Sequence, residues 1–284
     1  MSNYYCIMAG VPDLKLSDTT PGYSTAELRQ QLEAEMGRCD AKLLRFLFLE
    51  RDCRNLALLL KDADAELEEG GNYSREELLE LIAQADEIDL GKSTYPQFML
   101  DFVRQHADNL QREGYYPEDE VMLRYYEYCT QNCKDSLMRR WYQMNFDVAN
   151  IMTAMIARRQ GWRVAEYVKG SGEVSEALRT SDANDFGLAS QLPYMTEVMN
   201  IVAEEDPVRK ERMMDALKWE WLEVETFADT FSIEAVFAYL CKLAIQERWA
   251  RLDVEQGKET FERIINDLRS EAQVPSEFII KTIK

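Results

Sequence analysis

Apolar residues recur along almost the whole chain with a period close to 3.6, the spacing that places them on one face of an α-helix. Glycine and proline, which interrupt helices, are scarce, with 12 and 7 among 284 residues. The pattern predicts an all-α protein built from amphipathic helices.

Two helix starts are marked by a serine followed three residues later by a glutamate. Ser24 with Glu27, and Ser74 with Glu77, have the spacing of a capping box, in which each side chain satisfies a backbone N–H of the other residue. Both pairs precede apolar-periodic segments. We therefore expect helices to begin directly after Ser24 and Ser74.

Other boundaries are predicted from single polar residues. Asp40 is expected to cap a long second helix, and Asp135 to divide a helical run that extends from Pro117 to Gln160. Gly161 is expected to end that run. Ser232 precedes a further helix.

Three segments depart from this pattern. Tyr4–Leu16 carries β-favouring residues and is expected to form an extended arm or a short strand. Residues 170–186 are polar and contain glycine, which predicts a linker. Lys258–Glu271 is expected to form a separate last helix.

A short pattern occurs twice, on helices that the periodicity predicts. Residues 52–60 (DCRNLALLL) and 147–155 (DVANIMTAM) share an aspartate, an asparagine three residues later and an apolar stripe. A weaker third copy, ERWARL, has Glu247 in the acidic place and Ala250 in the asparagine place. The acidic residues stand at 52, 147 and 247, and this near-equal spacing predicts three helical modules, residues 1–95, 96–187 and 188–284.

The repeated residues have a definite physical requirement. Positions i and i+3 share one helix face, so each asparagine lies beside its aspartate and close to the apolar stripe. A half-buried asparagine must find hydrogen-bond partners, typically in the backbone at the end of a neighbouring helix. The alternative is a polar pair that faces water. The residues of this structural signature are Asp52, Asn55, Asp147, Asn150 and Glu247.

Charge narrows the set of partners. Lys and Arg number 33 and Asp and Glu 52, a formal net charge of −19, which disfavours nucleic acid and anionic membrane surfaces. A basic protein partner or plain solubility fits this charge. We find no signal peptide and no apolar stretch near the ~20 residues of a membrane span, and therefore expect a cytoplasmic protein without direct membrane insertion.

Residues with catalytic or metal-binding chemistry are few. His106 is the only histidine and lies in a helical pattern, and the six cysteines are expected to be free thiols. Cys129 and Cys133 are one helical turn apart, but no second pair completes a zinc site. Trp219 and Trp221 cannot share a helix face, so one is expected in the core and the other partly exposed. We expect no catalytic residue, metal or cofactor.

The repeat and the C-terminal segment resemble the C/d family of rotary-ATPase central-stalk proteins, the C-type in archaeal enzymes and the d-type in V-type ATPases. The third module of that family carries matching positions here at Tyr239, Leu240, Glu247, Leu252, Gly257 and Lys258, the last two in a Gly-Lys loop. The opening YYCIMAGVPDL is closer still to an uncharacterised bacterial family found beside V-type ATPase genes. Ala250 departs from the expected asparagine, and residues 163–230 match no specific motif.

The resemblance implies three helical modules around a funnel-like cavity. One mouth would receive the rotor-shaft subunits, and the other side would sit on the membrane proteolipid ring, peripheral to the inner membrane. The chain would then be a non-catalytic subunit that couples shaft to ring in ion transport; the sequence does not identify its shaft-binding residues. Two alternatives are a helical protein-binding scaffold or regulatory protein without the rotor role, and an enzyme that holds a divalent metal with clustered carboxylates.

Overall fold

A computed structural model describes residues 4–17, 22–87, 93–111, 115–228 and 230–271, with side chains described as far as residue 252. These residues form twelve helices and no strand, which confirms the all-α prediction. The helices are α1 (Tyr5–Gly10), α2 (Thr25–Glu35), α3 (Arg38–Lys61), α4 (Arg75–Gln84), α5 (Gln97–Asn109), α6 (Pro117–Asn132), α7 (Ser136–Gln160), α8 (Val164–Tyr167), α9 (Glu173–Thr180), α10 (Met195–Ala203), α11 (Pro207–Thr226) and α12 (Ile233–Glu271).

Three long helices, α3, α7 and α12, organise the packing. Helix α6 lies against both α3 and α7, while α12 packs against α2, α3, α7 and α11. The shorter helices lie on this frame: α4 contacts α3, α5 contacts α6, α8 and α9 contact α7, and α10 bridges α7 and α11. The last helix therefore joins elements from the first, middle and last parts of the chain.

Aromatic side chains fill the junction of α3, α6, α7 and α12. The ring of Tyr142 lies edge-on to those of Tyr125 and Phe237, with centroids 5.8 and 6.0 Å apart, and Trp141 lies 6.3 Å from Phe237. The hydroxyl of Tyr125 donates a 3.0 Å hydrogen bond to the Phe46 carbonyl, which ties α6 to α3. One cluster of buried apolar side chains extends across all three predicted modules.

The predicted capping boxes are both present. The Ser24 and Ser74 side chains accept hydrogen bonds from the backbone N–H groups of Glu27 and Glu77, and each glutamate accepts one from its serine N–H. Helices α2 and α4 begin directly after these serines. The local sequence therefore determines both starts.

Several single-residue predictions are also confirmed. Asp135 caps α7 through the backbone N–H of Met138, Gly161 ends α7 in the left-handed conformation, and the Ser232 hydroxyl accepts a bond near the start of α12. Trp219 is buried and Trp221 is partly exposed, as the two-residue spacing requires.

The extended conformation predicted for Tyr4–Leu16 is wrong for its first half. Tyr5–Gly10 is helical, and the chain becomes extended only at Val11. The backbone N–H of Tyr4 donates to the Phe231 carbonyl at 3.2 Å, and this contact holds the segment against the chain before α12. Tertiary contacts outweigh the weak β preference of the sequence here.

Asp40 does not cap α3. The helix begins at Arg38 with Gly37 at the capping position, where glycine is also well tolerated. Asp40 lies in the first turn, and its carboxylate accepts a 2.6 Å hydrogen bond from the Tyr4 hydroxyl. The carboxylate therefore anchors the N-terminal segment.

Residues 170–186 are not a linker. They contain α9, whose Leu178 is buried, and they end at the buried Phe186. The Arg158 guanidinium stacks on the Phe186 ring at 4.0 Å and donates to the carbonyls of Ser181 and Ala183. Polar side chains of the segment also bind backbone carbonyls: Ser175 donates to that of Lys169, and Arg179 to those of Val168 and Gly170.

Gly257 does not interrupt the last helix. Helix α12 runs without a break to Glu271, so neither a separate helix from Lys258 nor the Gly-Lys loop is present. One glycine inside a helix costs only about 1 kcal/mol relative to alanine, too little to end a helix of this length.

Candidate functional site

Two asparagines of the repeat make the same pair of hydrogen bonds. Asn55 on α3 donates to the Glu68 carbonyl at 2.9 Å and accepts from the Glu68 N–H at 2.8 Å. Asn150 on α7 donates to the Lys169 carbonyl at 3.2 Å and accepts from the Lys169 N–H at 2.9 Å. Each amide thus satisfies both backbone groups of one residue in the loop that follows its helix.

The three acidic residues of the repeat all lie close to the start of another helix. Asp52 accepts from the backbone N–H groups of Asn72 and Tyr73, just before the capping serine of α4, at 2.8 and 3.1 Å. Glu247 on α12 accepts from the backbone and hydroxyl of Thr25, the first residue of α2, at 2.6 and 2.7 Å.

Asp147 follows the same arrangement less directly. It accepts from the Gln143 amide at 2.9 Å and from the hydroxyl of Tyr194, which stands at the capping position of α10, at 3.3 Å. Both bonds to Asp147 come from side chains, whereas the bonds to Asp52 and Glu247 include backbone N–H groups near a helix start. The described repeat residues are therefore junctions between helices.

The third junction closes on the first part of the chain. Arg51 on α3 bridges Glu247 at 2.9 Å and also contacts the Thr25 hydroxyl, so one site joins α2, α3 and α12. Helix α2 contacts α12, as α4 contacts α3 and α9 contacts α7. Ala250 provides no amide, and the Arg51 guanidinium instead donates to a loop carbonyl, that of Glu69, at 2.7 Å.

Burial makes two of the junction carboxyl groups harder to ionise. Desolvation raises the pKa of Asp52, against the lowering effect of its bonds from Asn72 and Tyr73. Desolvation also raises the pKa of Asp147 from 3.8 to about 6, because only the hydrogen bonds from the Gln143 and Tyr194 side chains lower it.

The raised pKa of Asp147 predicts a measurable pH dependence. Between about pH 4 and 6 the folded chain retains a proton that the unfolded chain has lost, so this group's contribution to stability decreases as pH rises. Asp147→Asn should therefore raise the free energy of unfolding at pH 7 by about 1–3 kcal/mol and have little effect near pH 4. Urea unfolding across this pH range measures it.

Asp182→Asn provides the matched control because Asp182 is exposed. It should leave both the stability and its pH slope unchanged. An Asp147→Asn protein that keeps the wild-type slope between pH 4 and 6 would contradict the assignment.

A polar cavity of about 90 Å³ lies where the long helices meet. Its walls come from α2, α3, α6, α7, α11 and α12, and it is bordered by the junction of Thr25 and Arg51. Eight charged side chains line it, together with Tyr126 and Trp141, so the cavity borders the aromatic core.

An exposed apolar surface lies at the end of α11. We call Tyr5, Val224, Phe227 and Phe231 the apolar edge; Phe227 is 87% exposed and Val224 is 70% exposed. The rings of Tyr5 and Phe231 lie 4.7 Å apart, which joins α1 to the segment before α12. Exposed aromatic side chains grouped in this way are typical of protein–protein contacts.

A second surface is a groove of about 830 Å³ beside α3. Its aromatic walls include Tyr73 and Tyr95, whose rings lie 5.1 Å apart, and Tyr128. Three basic residues and one acidic residue line it as well: Lys42, Arg45, Lys134 and Asp135. This aromatic groove is therefore locally basic in a chain of charge −19.

Metal-binding chemistry is not assembled in the described part of the chain, where no group of three His, Cys, Asp or Glu could hold an ion. His106 lies on α5 beside Phe102, and burial lowers its pKa. Four cysteines are buried and two, Cys6 and Cys39, are exposed; all are free thiols. No described helix has the length and apolarity to cross a membrane.

The sequence found the junction residues through their repetition but missed both surfaces and the cavity. Comparison with protein families gives a match over residues 1–272 to a model described as "Protein of unknown function (DUF2764)". No curated protein and no solved structure matches the chain.

Proposed function

The chain belongs to the family of unknown function DUF2764, and we propose that this member is a non-catalytic central-stalk subunit of a rotary ATPase, similar to the C/d family. In this role it couples the rotor shaft to the membrane proteolipid ring and performs no chemistry itself. It is cytoplasmic and peripheral to the inner membrane through that complex.

One observation supports the proposal most: acidic residues on three long helices each hold the start of another helix. Transmission of torque requires a body whose helices do not slide past one another. Junctions such as Asp52 with Tyr73, or Glu247 with Thr25, fix helix ends by charged hydrogen bonds, which are roughly twice as strong as neutral ones. The aromatic core adds close packing, which resists deformation.

The apolar edge is the surface on which we expect the shaft to dock. Phe227 and Val224 lie at the C-terminal end of α11, where an apolar surface of the partner can cover these two uncharged side chains. Aromatic anchors of this kind provide most of the binding energy in protein interfaces. The acidic surface elsewhere mainly increases the association rate with a basic partner.

The test is binding of the purified chain to purified rotor-shaft subunits across a salt series. Phe227→Ala should weaken binding about tenfold or more, mainly through faster dissociation. Rising salt should slow association, because screening acts over ~8–10 Å at physiological ionic strength. Ile156→Ala, which removes an exposed apolar side chain on α7, should bind like the wild type.

Copurification with the proteolipid ring tests the other side of the proposed role. Absence of shaft binding at low salt, with both partners folded, contradicts the rotor role. Binding that persists unchanged at high salt would be consistent with the proposed docking surface but would show that electrostatic attraction contributes little.

A protein-binding scaffold is the second candidate, and the aromatic groove favours it. Tyr73 and Tyr128 offer apolar walls, and Lys42, Arg45 and Lys134 complement an acidic segment. A chain with this role would bind acidic, aromatic-containing peptides through the groove. Tyr128→Ala would then abolish peptide binding and leave shaft binding unchanged.

A further inference from the structure

The cavity between the long helices is rich in positive charge. Five cationic side chains and three carboxylates line it, although the whole chain has a charge of −19. The cations come from different helices: Arg51 and Arg54 from α3, Lys218 from α11, and Arg248 and Arg251 from α12.

The three carboxylates of the lining are already engaged. Glu50 pairs with Arg54, and Glu68 lies 3.7 Å from Arg54 and 3.4 Å from Arg251. Asp215 pairs with Arg248 and accepts a 2.7 Å hydrogen bond from the indole of Trp249. Arg51 is committed to Glu247 at 2.9 Å.

Lys218 is the exception among the cations. Its ammonium makes no hydrogen bond or ion pair with the described residues, yet it lines the cavity and is partly buried. Desolvation lowers the pKa of Lys218, the charges of Glu50 and Asp215 oppose this, and those of Arg248 and Arg54 add to it. An ammonium removed from water without a partner is unfavourable, and an anion in the cavity would remove that cost.

We propose that this cavity binds a small oxyanion, with the Lys218 ammonium as its principal donor and the half-exposed Arg251 guanidinium of the same lining as a second donor. Phosphate is the chemistry that best fits a lysine beside a planar guanidinium. The volume of about 90 Å³ is several times the ~10–15 Å³ that one water requires, but too small for a nucleotide. The anion is free phosphate or a phosphate group that enters from a larger molecule.

Such an anion would stabilise the assembly of the long helices. Lys218 and Arg251 lie on α11 and α12, and residues of α3 line the same cavity. Occupation therefore adds a link between α11, α12 and α3 to those that the junctions provide. This site is independent of the rotor role.

Thermal unfolding of the dialysed chain tests the site. We expect 10 mM potassium phosphate to raise the melting temperature by about 2 °C over potassium chloride of equal ionic strength. Equal ionic strength removes the general screening of an acidic chain, and the low concentration limits the effects of salt on protein hydration.

Two variants make the test specific. Lys218→Met should lose the phosphate-dependent shift, while Lys61→Met, which removes an exposed lysine at the end of α3, should keep it. Arg251→Met, at a half-exposed position, should reduce the phosphate-dependent rise in melting temperature. It serves as the test variant if Lys218→Met folds poorly.

The outcomes separate the sources of the ligand. If inorganic phosphate raises the melting temperature and adenosine monophosphate does not, the ligand is a free anion. If adenosine monophosphate raises it equally, the site accepts the phosphate group of a larger molecule. No shift in the wild type, or an undiminished shift in folded Lys218→Met, overturns the proposal.

Discussion

Replacing Asn150 by leucine is expected to lower the free energy of unfolding by about 1–3 kcal/mol. Leucine resembles asparagine in shape but leaves the Lys169 N–H without its partner, and the Lys169 carbonyl keeps only its bond from the Ser175 hydroxyl. Asn55→Leu should have a similar effect, because Asn55 pairs with Glu68 in the same way. Urea unfolding followed by circular dichroism measures both.

Asn200→Leu is the control for this pair. Asn200 is exposed on α10, so its replacement should change stability by less than about 0.5 kcal/mol. If Asn55→Leu and Asn150→Leu were as stable as this control, the two side chains would not hold the loops in solution.

Phe237→Ala is expected to be the most destabilising single change, at about 3–5 kcal/mol. Phe237 is fully buried, and its ring packs edge-on against Trp141 and Tyr142. The substitution leaves a cavity between α7 and α12, which the rigid surroundings fill only in part. The measurement is again the free energy of unfolding.

Phe227→Ala is the matched control, because it removes the same side chain from an 87% exposed position. It should leave stability within about 0.5 kcal/mol of the wild type. A loss of equal size in both variants would show that the apolar edge is part of the core in solution. That result would also argue against the edge as a docking surface.

The sequence predicts helix starts well where one residue and its close neighbours determine them. Ser24, Ser74 and Asp135 each satisfy the N–H three residues away, so no knowledge of the rest of the fold is needed. Asp40 is not a cap because α3 already begins at Arg38, and its carboxylate binds a tyrosine 36 residues away instead. Distant partners are not visible in a local pattern.

The candidate site divides in the same way. The repeated motif identified four residues, and a repeat can be recognised in the sequence without knowledge of the contacts: Asp52, Asn55, Asp147 and Asn150. Lys218 was not found, because a lysine between helical residues ordinarily faces water. Its position in a cavity depends on how α11 lies against α3 and α12.

The bond between Thr25 and Glu247 spans 222 residues, which has a consequence for how the chain matures during translation. At roughly 5–20 residues per second, a ribosome needs on the order of 10–45 s to synthesise the intervening chain. During that interval the start of α2 and the Arg51 guanidinium lack their carboxylate partner. The nascent chain therefore depends on α3, α6 and α7 for its early structure, and closure of the fold through α12 is a late step that a ribosome stalled before Glu247 cannot reach.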